Sequence, residues 1–300
     1  MEGERQMIDF TNCEINKFKY YGGKNGGKIC VKYNGEDYML KFPGVKENSL
    51  EKAYSNSCIS EYISCKIINS LGYNAQETLL GTYKINNNEK IVVACKDFTK
   101  GNKVLKQFAE LKNSIVESSQ NGYGTEISEV LETIEEQKVF DAKELNDYFW
   151  DLFIIDALLG NFDSHNGNWG FLINEELEQI ELSPIYDCAS CLYPQLTDDM
   201  IKDIINNKEE MEARVFVFPN SALKNNDKKI NYYNYISSLE NDECNKALLR
   251  IFPKIHLDII NNIIDNTPYI SDIRKEFYKN IIRLRYEKIL KINYEKLIKL

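Results

Sequence analysis

The chain changes character near residue 98, and that change limits the folds open to it. Before it, short apolar runs at strand spacing occupy residues 29–33 and 38–42 around Asn34-Gly35, then residues 77–85 and 90–96 around Asn86-Asn87-Asn88-Glu89. Asn-Gly between two such runs marks a hairpin, because both residues accept the left-handed backbone a tight turn needs. One long helix interrupts the strands, expected from an N-cap at Ser49 through Leu50 to about residue 71 and closed by Gly72. Beyond residue 98 the reading is almost wholly helical apart from one hairpin (171–173 with 179–182), with helices over 148–159, 197–207, 236–250, 253–266 and 270–299. Ile273, Phe277, Ile281 and Leu284 show the helical spacing of core positions. A β-rich part followed by an α-rich part implies an α+β, bilobal architecture: an N-lobe over residues 1–98, a mostly helical C-lobe over 99–300, and a hinge near 95–102.

Three hundred residues, 43% of them hydrophobic, suffice for a proper core. The net charge of -9 argues against a chain whose main partner is nucleic acid, since phosphate backbones demand clustered Lys and Arg. Eight cysteines (Cys13, Cys30, Cys58, Cys65, Cys95, Cys188, Cys191, Cys244) are too scattered for a disulfide scaffold and read as reduced thiols. No signal-like start and no membrane-length apolar run is present, so a cytoplasmic protein without a membrane partner is expected, with export by an unusual route left open.

The polar residues concentrate at one place. Between the apolar helix ending at Gly160-Asn161 and the strand beginning near Trp169 stand Asp163, Ser164, His165, Asn166 and Asn168, displayed on a tight loop between two rigid elements. The hairpin that follows delivers Ser183-Pro184-Ile185-Tyr186-Asp187. Phosphoryl transfer needs a carboxylate at the acceptor hydroxyl, metal ligands beside the phosphates and a cation on the nucleotide. Asp163 and Asn168 have the spacing of the aspartate and asparagine of a kinase catalytic loop, and Asp187 offers a second oxygen ligand for Mg²⁺. His165 could brace the loop or touch phosphate. Upstream, the run Gly22-Gly23-Lys24-Asn25-Gly26-Gly27 could bare backbone N–H groups to phosphates, Lys41 could supply the cation, and Glu61 could hold that lysine. Each has an ordinary alternative: a flexible turn, an edge-strand lysine, a solvated helix glutamate, turn-forming Asp and Asn, a helix cap. Their occurrence together and in this order is what favours the chemistry. A metal site at Cys188-Ala189-Ser190-Cys191 lacks a second ligand pair.

The run Gly160-Asn161-Phe162-Asp163-Ser164-His165-Asn166-Gly167-Asn168-Trp169-Gly170-Phe171, with Ser183-Pro184-Ile185-Tyr186-Asp187, resembles the HipA-like serine/threonine kinases, in particular their compact CtkA-like branch of cell-translocating kinases. The resemblance covers most of the chain, from Gly22 to beyond Tyr193. It implies a protein-kinase-like fold and ATP-dependent transfer to a protein hydroxyl, with autophosphorylation. Asp163 becomes the catalytic aspartate with His165 beside it, Asn168 and Asp187 the magnesium ligands, Lys41 the ATP lysine and Glu61 its helix partner. Cys95, Lys96 and Asp97 become the hinge whose backbone meets adenine, Gly22, Gly23, Gly26 and Gly27 the phosphate loop, and Tyr186 a nucleotide neighbour. A protein substrate and an antitoxin-like regulator are the implied partners. Three departures stand out. Ser164 replaces the family's usual arginine, the N-terminal region that HipA proper carries for antitoxin contacts is missing, and no serine or threonine lies between Asn12 and Ser49 to serve as an inhibitory phosphosite. Tyr20 or Tyr21 could substitute for that site. A phosphoinositide-type lipid kinase and a nucleotide-binding pseudokinase are the alternatives.

Overall fold

The computed structural model describes residues 8–21, 27–43, 56–116 and 121–299. Gly22, Gly23 and Gly26 of the glycine-rich run, and Ser49 and Leu50 at the expected start of the long helix, lie outside the described residues.

The N-terminal part is organised on a six-stranded sheet. Its strands are β1 (Ile8–Asp9), β2 (Glu14–Ile15), β3 (Lys28–Tyr33), β4 (Glu36–Lys41), β5 (Thr78–Ile85) and β6 (Asn88–Lys96), with helix α1 (Ser57–Ser70) between β4 and β5. They lie in the order β1-β5-β6-β4-β3-β2, antiparallel except where β1 joins β5. Asn34 and Gly35 both take positive φ (49° and 79°) and close the β3–β4 hairpin with Tyr33 opposite Glu36, as the turn chemistry requires. Alternation along β6 then divides its side chains between two faces. Val92 and Ala94 join Phe10, Val31, Tyr38 and Leu40 in a small core, while Val93 and Cys95 face α1 and the helical body.

The C-terminal part opens with β7 (Val104–Gln107), α2 (Phe108–Ile115), α3 (Ile127–Glu136) and α4 (Ala142–Leu159). The α4 helix is its spine. Asp141 caps it by accepting the Glu144 N–H, and its apolar residues point in every direction, from Leu145 and Trp150 to Ile154 and Leu158, which is the pattern of an interior helix. Strands β8 (Gly170–Asn174) and β9 (Gln179–Leu182) form the expected hairpin and pair through β8 with β7. There follow α5 (Asp198–Ile205), α6 (Lys208–Phe216), the hairpin of β10 (Asn220–Asn225) and β11 (Lys228–Asn231), α7 (Tyr232–Ser238), α8 (Asp242–Ile251), α9 (Leu257–Asp265), α10 (Asp272–Arg285) and α11 (Ile292–Leu297). Helices α10 and α11 are joined without a break by π-helical turns over Tyr286–Lys291.

Several elements differ from the expectation. The single helix expected over 236–250 breaks at Leu239, whose left-handed φ of 57° ends α7 before α8 begins. The spine helix starts at Ala142 rather than 148, and α2, α3, α6, β7 and the β10–β11 hairpin were not foreseen. The main core is one continuous cluster running from α1, β5 and β6 through α4 to α10, with Ile63, Ile67, Val93, Leu158, Phe277 and Tyr278 among its members. Asn56, just ahead of α1, donates through Nδ2 to the carbonyls of Pro194 (3.3 Å) and Leu196 (3.1 Å), which fastens this helix to the C-terminal part.

Candidate active site

The loop between α4 and β8 is tied down from several directions. Gly160 leaves the helix with φ 66°, and an added Cβ there would lie 3.3 Å from both Arg285 Cζ and Pro219 Cγ. Asn161 then acts as a clamp. Its Oδ1 accepts the Asp163 N–H (3.2 Å), its Nδ2 donates to Asp156 Oδ1 (2.9 Å), and its carbonyl accepts the Tyr232 hydroxyl (2.6 Å). Asn166 donates to the Gly122 and Gly124 carbonyls, and the Gly167 N–H donates to His165 Nδ1 (3.0 Å). Asn168 donates through Nδ2 to the Asp163 carbonyl at 2.7 Å, which fixes the amide so that its oxygen is the atom left to accept. Asp163 itself stands exposed at the end of this framework. The protein mass around it is the main influence holding its carboxyl above the ordinary value. Asp187 adds to that, while His165 and Lys229 pull the other way.

The second side of the site comes from the β8–β9 hairpin and the sheet. The backbone after β9 is held by Ile185 N–H on the Asn74 carbonyl (2.8 Å), and Tyr186 donates to the Gly167 carbonyl (2.9 Å) while its ring packs 5.7 Å from that of Phe98. Asp187 takes a left-handed backbone, φ 62°. Its Oδ1 lies 3.0 Å from Lys41 Nζ, and the same Nζ lies 3.1 Å from Glu61 Oε2. Both ordinary readings therefore fail here. Lys41 is on a strand flanked by β3 and β6, not on an edge, and Glu61 is fully buried rather than solvated. Burial is the largest influence on both and disfavours their charged forms. It raises the Glu61 carboxyl, but at Lys41 the two carboxylates outweigh it and hold the ammonium well above its usual value. At Asp187 the Lys41 charge is the first influence and keeps the carboxyl ionised below its usual range.

Lys28 is a residue that the sequence reading missed. It sits directly across the hairpin from Lys41. Burial lowers its ammonium, Lys41 lowers it further, and its charge acts on Asp187. The signal was present, since the register of the Asn34-Gly35 turn by itself pairs position 28 with 41.

Much of the backbone at the expected hinge is already hydrogen-bonded. Cys95 and Lys96 lie inside β6, with the Cys95 side chain in the core. The Lys96 N–H donates to the Glu77 carbonyl (2.8 Å), its carbonyl accepts Gln76 Nε2 (3.0 Å), and the Asp97 N–H donates to the Asp37 carbonyl (2.9 Å). Among the described residues the first backbone groups left without a hydrogen bond are the Asp97 carbonyl and the Phe98 N–H. The Asp97 side chain has a different task. It accepts from Lys19 (2.5 Å), Tyr21 (2.7 Å) and both the N–H and hydroxyl of Thr99 (2.7 and 2.6 Å). Burial acts to raise its carboxyl, but these donors outweigh it and hold it low. It thereby anchors the stem that leads into the glycine-rich run, whose last residue, Gly27, is exposed and accepts the Phe42 N–H (3.2 Å).

Ser164 also finds a partner. Its side chain hydrogen-bonds Asp156, the acid in the last turn of α4 that Asn161 also contacts, and no lysine or arginine acts on that carboxyl. Burial pushes Asp156 up to about 7. All eight cysteines are unpaired, seven of them buried. Among the described residues no group of three or more His, Cys, Asp or Glu could by itself hold a metal ion, and no helix is long and apolar enough to cross a membrane.

Residues 17–251 match the family described as the HipA-like C-terminal domain. The chain is 50% identical over 276 residues to the serine/threonine-protein kinase CtkA of Helicobacter pylori (strain J99 / ATCC 700824), covering 92% of this chain and 84% of that protein. It superposes on a crystal structure of a Helicobacter pylori proinflammatory kinase CtkA with a TM-score of 0.92 at 48% identity, over 98% of each chain. A HipA from Shewanella oneidensis MR-1, solved with HipB and operator DNA, shares the fold at a TM-score of 0.56 and 16% identity, over 95% of this chain and 70% of that one.

Proposed function

The chain belongs to the HipA-like C-terminal domain family and is a serine/threonine-protein kinase, and we propose that Asp163, Asn168, Asp187, Lys41 and Glu61 carry its transfer of the ATP γ-phosphate to a protein hydroxyl. The observation that supports this most is the buried Lys41, held between Glu61 and Asp187 at 3.1 and 3.0 Å. An ammonium fixed between a helix and the segment after the second hairpin is a stationary point charge for phosphate oxygens. Lys28 adds a second cation on the same side.

The metal-side donors fit magnesium. The Asn168 oxygen, freed because its nitrogen is used on the loop, and the ionised Asp187 carboxylate are hard donors. Two protein ligands suit an ion that also needs phosphate oxygens and water. When bound, ATP with magnesium supplies the γ-phosphoryl group and the charge that its oxygens develop against. Asp163 accepts a hydrogen bond from the acceptor hydroxyl and orients its lone pair, and its proton affinity, raised by its surroundings, suits that contact. His165 braces the loop through the Gly167 N–H and faces Asp163 and Asp187 electrostatically. Adenine is assigned to the free backbone at Asp97 and Phe98, with Tyr186 beside it, and the glycine-rich run ending at Gly27 to the phosphates.

The same proposal divides the chain into lobes at residues 98 and 99, with the site between them. A regulator of antitoxin type is the second partner class, after the protein substrate. The unpaired thiols support a reducing, cytoplasmic setting.

Transfer of radiolabelled γ-phosphate to protein should be abolished in Asp163→Ala and in Asp187→Ala while circular dichroism stays native. Undiminished transfer by both variants refutes the assignment. A thermal shift of the wild type with ATP and magnesium but no turnover on any acceptor would make the chain a pseudokinase instead.

A further inference from the structure

The β10–β11 hairpin is built into the frame of the catalytic loop. Along β10, the Lys224 N–H donates to the Thr125 carbonyl (2.8 Å) and the Thr125 hydroxyl to the Ala222 carbonyl (2.7 Å). The neighbouring Gly122 and Gly124 carbonyls are the ones that hold Asn166 in the loop. At its other end β11 runs straight into Tyr232, whose hydroxyl holds the Asn161 carbonyl two residues before Asp163. The tip is fixed by Glu126, which accepts the Asn226 and Asp227 N–H groups at 2.7 and 3.1 Å. A hairpin tied at both ends and at its tip is a stationary wall.

That wall carries an unusual pair of charges. Lys224 and Lys229 are direct cross-strand partners, so their side chains share one face. Like charges in this relation destabilise a hairpin. Among the described residues neither lysine forms an ion pair, and the carboxylate of Glu126, beside the hairpin, is occupied with the backbone of the tip. Lys229 is exposed, and its charge reaches Asp163. The strongest charges on Asp187, by contrast, come from Lys41, Lys28 and His165. The nucleotide side and the hairpin side of the site are thus supplied by separate cations.

We propose that Lys224 and Lys229 form the acceptor-binding edge of the site and select a protein segment that carries Asp or Glu close to the serine or threonine to be phosphorylated. This rests on the kinase reading above and deepens it. An exposed charge acts over about 10 Å before salt screens it, and an extended chain advances about 3.3 Å per residue, so the acid lies within about three residues of the acceptor. Nucleic acid is the poorer partner, because two lysines in a chain of net charge -9 do not match a phosphate backbone.

The test is a serine/threonine peptide library in which one position at a time is fixed as Asp, Ala or Lys. It is phosphorylated by the full-length wild type, by Lys224→Ala/Lys229→Ala and by Lys224→Glu/Lys229→Glu. The wild type should prefer Asp over Ala by about three- to tenfold at a position within three residues of the acceptor, an effect carried by KM, as expected for two exposed charge pairs. The double alanine variant should lose that preference, and the double glutamate variant should turn it toward Lys. Because each enzyme is judged by its own Asp/Ala ratio, a general loss of activity does not imitate the result. Wild-type transfer without an acidic preference, a preference that survives charge reversal, or no transfer to any library member overturns the inference. If the wild type also fails to label itself and to turn over ATP, the kinase reading falls with it.

Discussion

Replacing Asp156 by asparagine isolates one buried carboxyl under the loop that carries Asp163. The carboxyl accepts from Asn161 Nδ2 at 2.9 Å and is hydrogen-bonded by Ser164. The other titratable groups around it are Tyr148, Cys188, Cys191 and Tyr232, none of them a cation. Burial pushes its pKa from 3.8 to about 7. A carboxyl raised on folding gives full stability below its unfolded value and loses it as pH rises through the folded one. At about 1.4 kcal/mol per unit, the wild type should therefore have lost about 1.5 kcal/mol by about pH 5 and about 4 kcal/mol by about pH 8. Asparagine has the same shape, still accepts from Asn161 and can donate to Ser164, but has no charge to bury. Its advantage over the wild type should grow by about 2.5 kcal/mol across that interval, trimmed to about 1.5 kcal/mol because the residue keeps some surface in solvent. Urea unfolding of both proteins at the two pH values measures this directly. An advantage that stays constant with pH, or a variant less stable than the wild type at the higher pH, would refute the reasoning.

Lys41→Met leaves the fully buried Glu61 without its 3.1 Å counter-charge and should cost about 3 kcal/mol in urea unfolding, together with phosphate transfer. Adding Glu61→Gln should recover at least about 1 kcal/mol of that loss, and strictly additive effects would show that the pair is not coupled. Gly160→Ala places a Cβ 3.3 Å from Arg285 and Pro219 at a φ of 66°, so a loss of about 1–2 kcal/mol and a fall in transfer rate are expected; unchanged unfolding would contradict the strain.

What the sequence disclosed well was local. The Asn34-Gly35 turn needed only its own two residues to be recognised, and the loop between α4 and β8 stood out because Asp163 to Asn168 are polar where the flanking segments are not. The break at Leu239 was also signalled, by Asn241 ahead of Asp242-Glu243, but the apolar spacing ran across it. What stayed hidden depended on partners far along the chain. Asp156 looks like one acid at the end of an apolar helix, and only the approach of Tyr232 and Cys191 makes it unusual. The β10–β11 hairpin is composed of Asn, Lys and Ser with little β-branched content, and its strand state comes from its ties to residues 125 and 126. The unbonded backbone groups near the expected hinge lie at Asp97 and Phe98 because Gln76 and Glu77 consume those of Lys96. The roles given to Gly22, Gly23 and Gly26 lie outside the described residues.

The helix that carries Glu61 is fastened on two sides. Ile63, Cys65 and Ile67 are sealed in the continuous core, and Asn56 ties its start to Pro194 and Leu196. A helix held in this way is a beam and not a lever. Kinases that are switched by moving the corresponding helix part their lysine from its glutamate and so have an idle posture to rest in. Here the same movement would disturb the core that α1 shares with α4 and α10. Lys41 and Glu61 are already joined in this structure, so a switch that acted by swinging this helix would have to loosen the common core before it could part them.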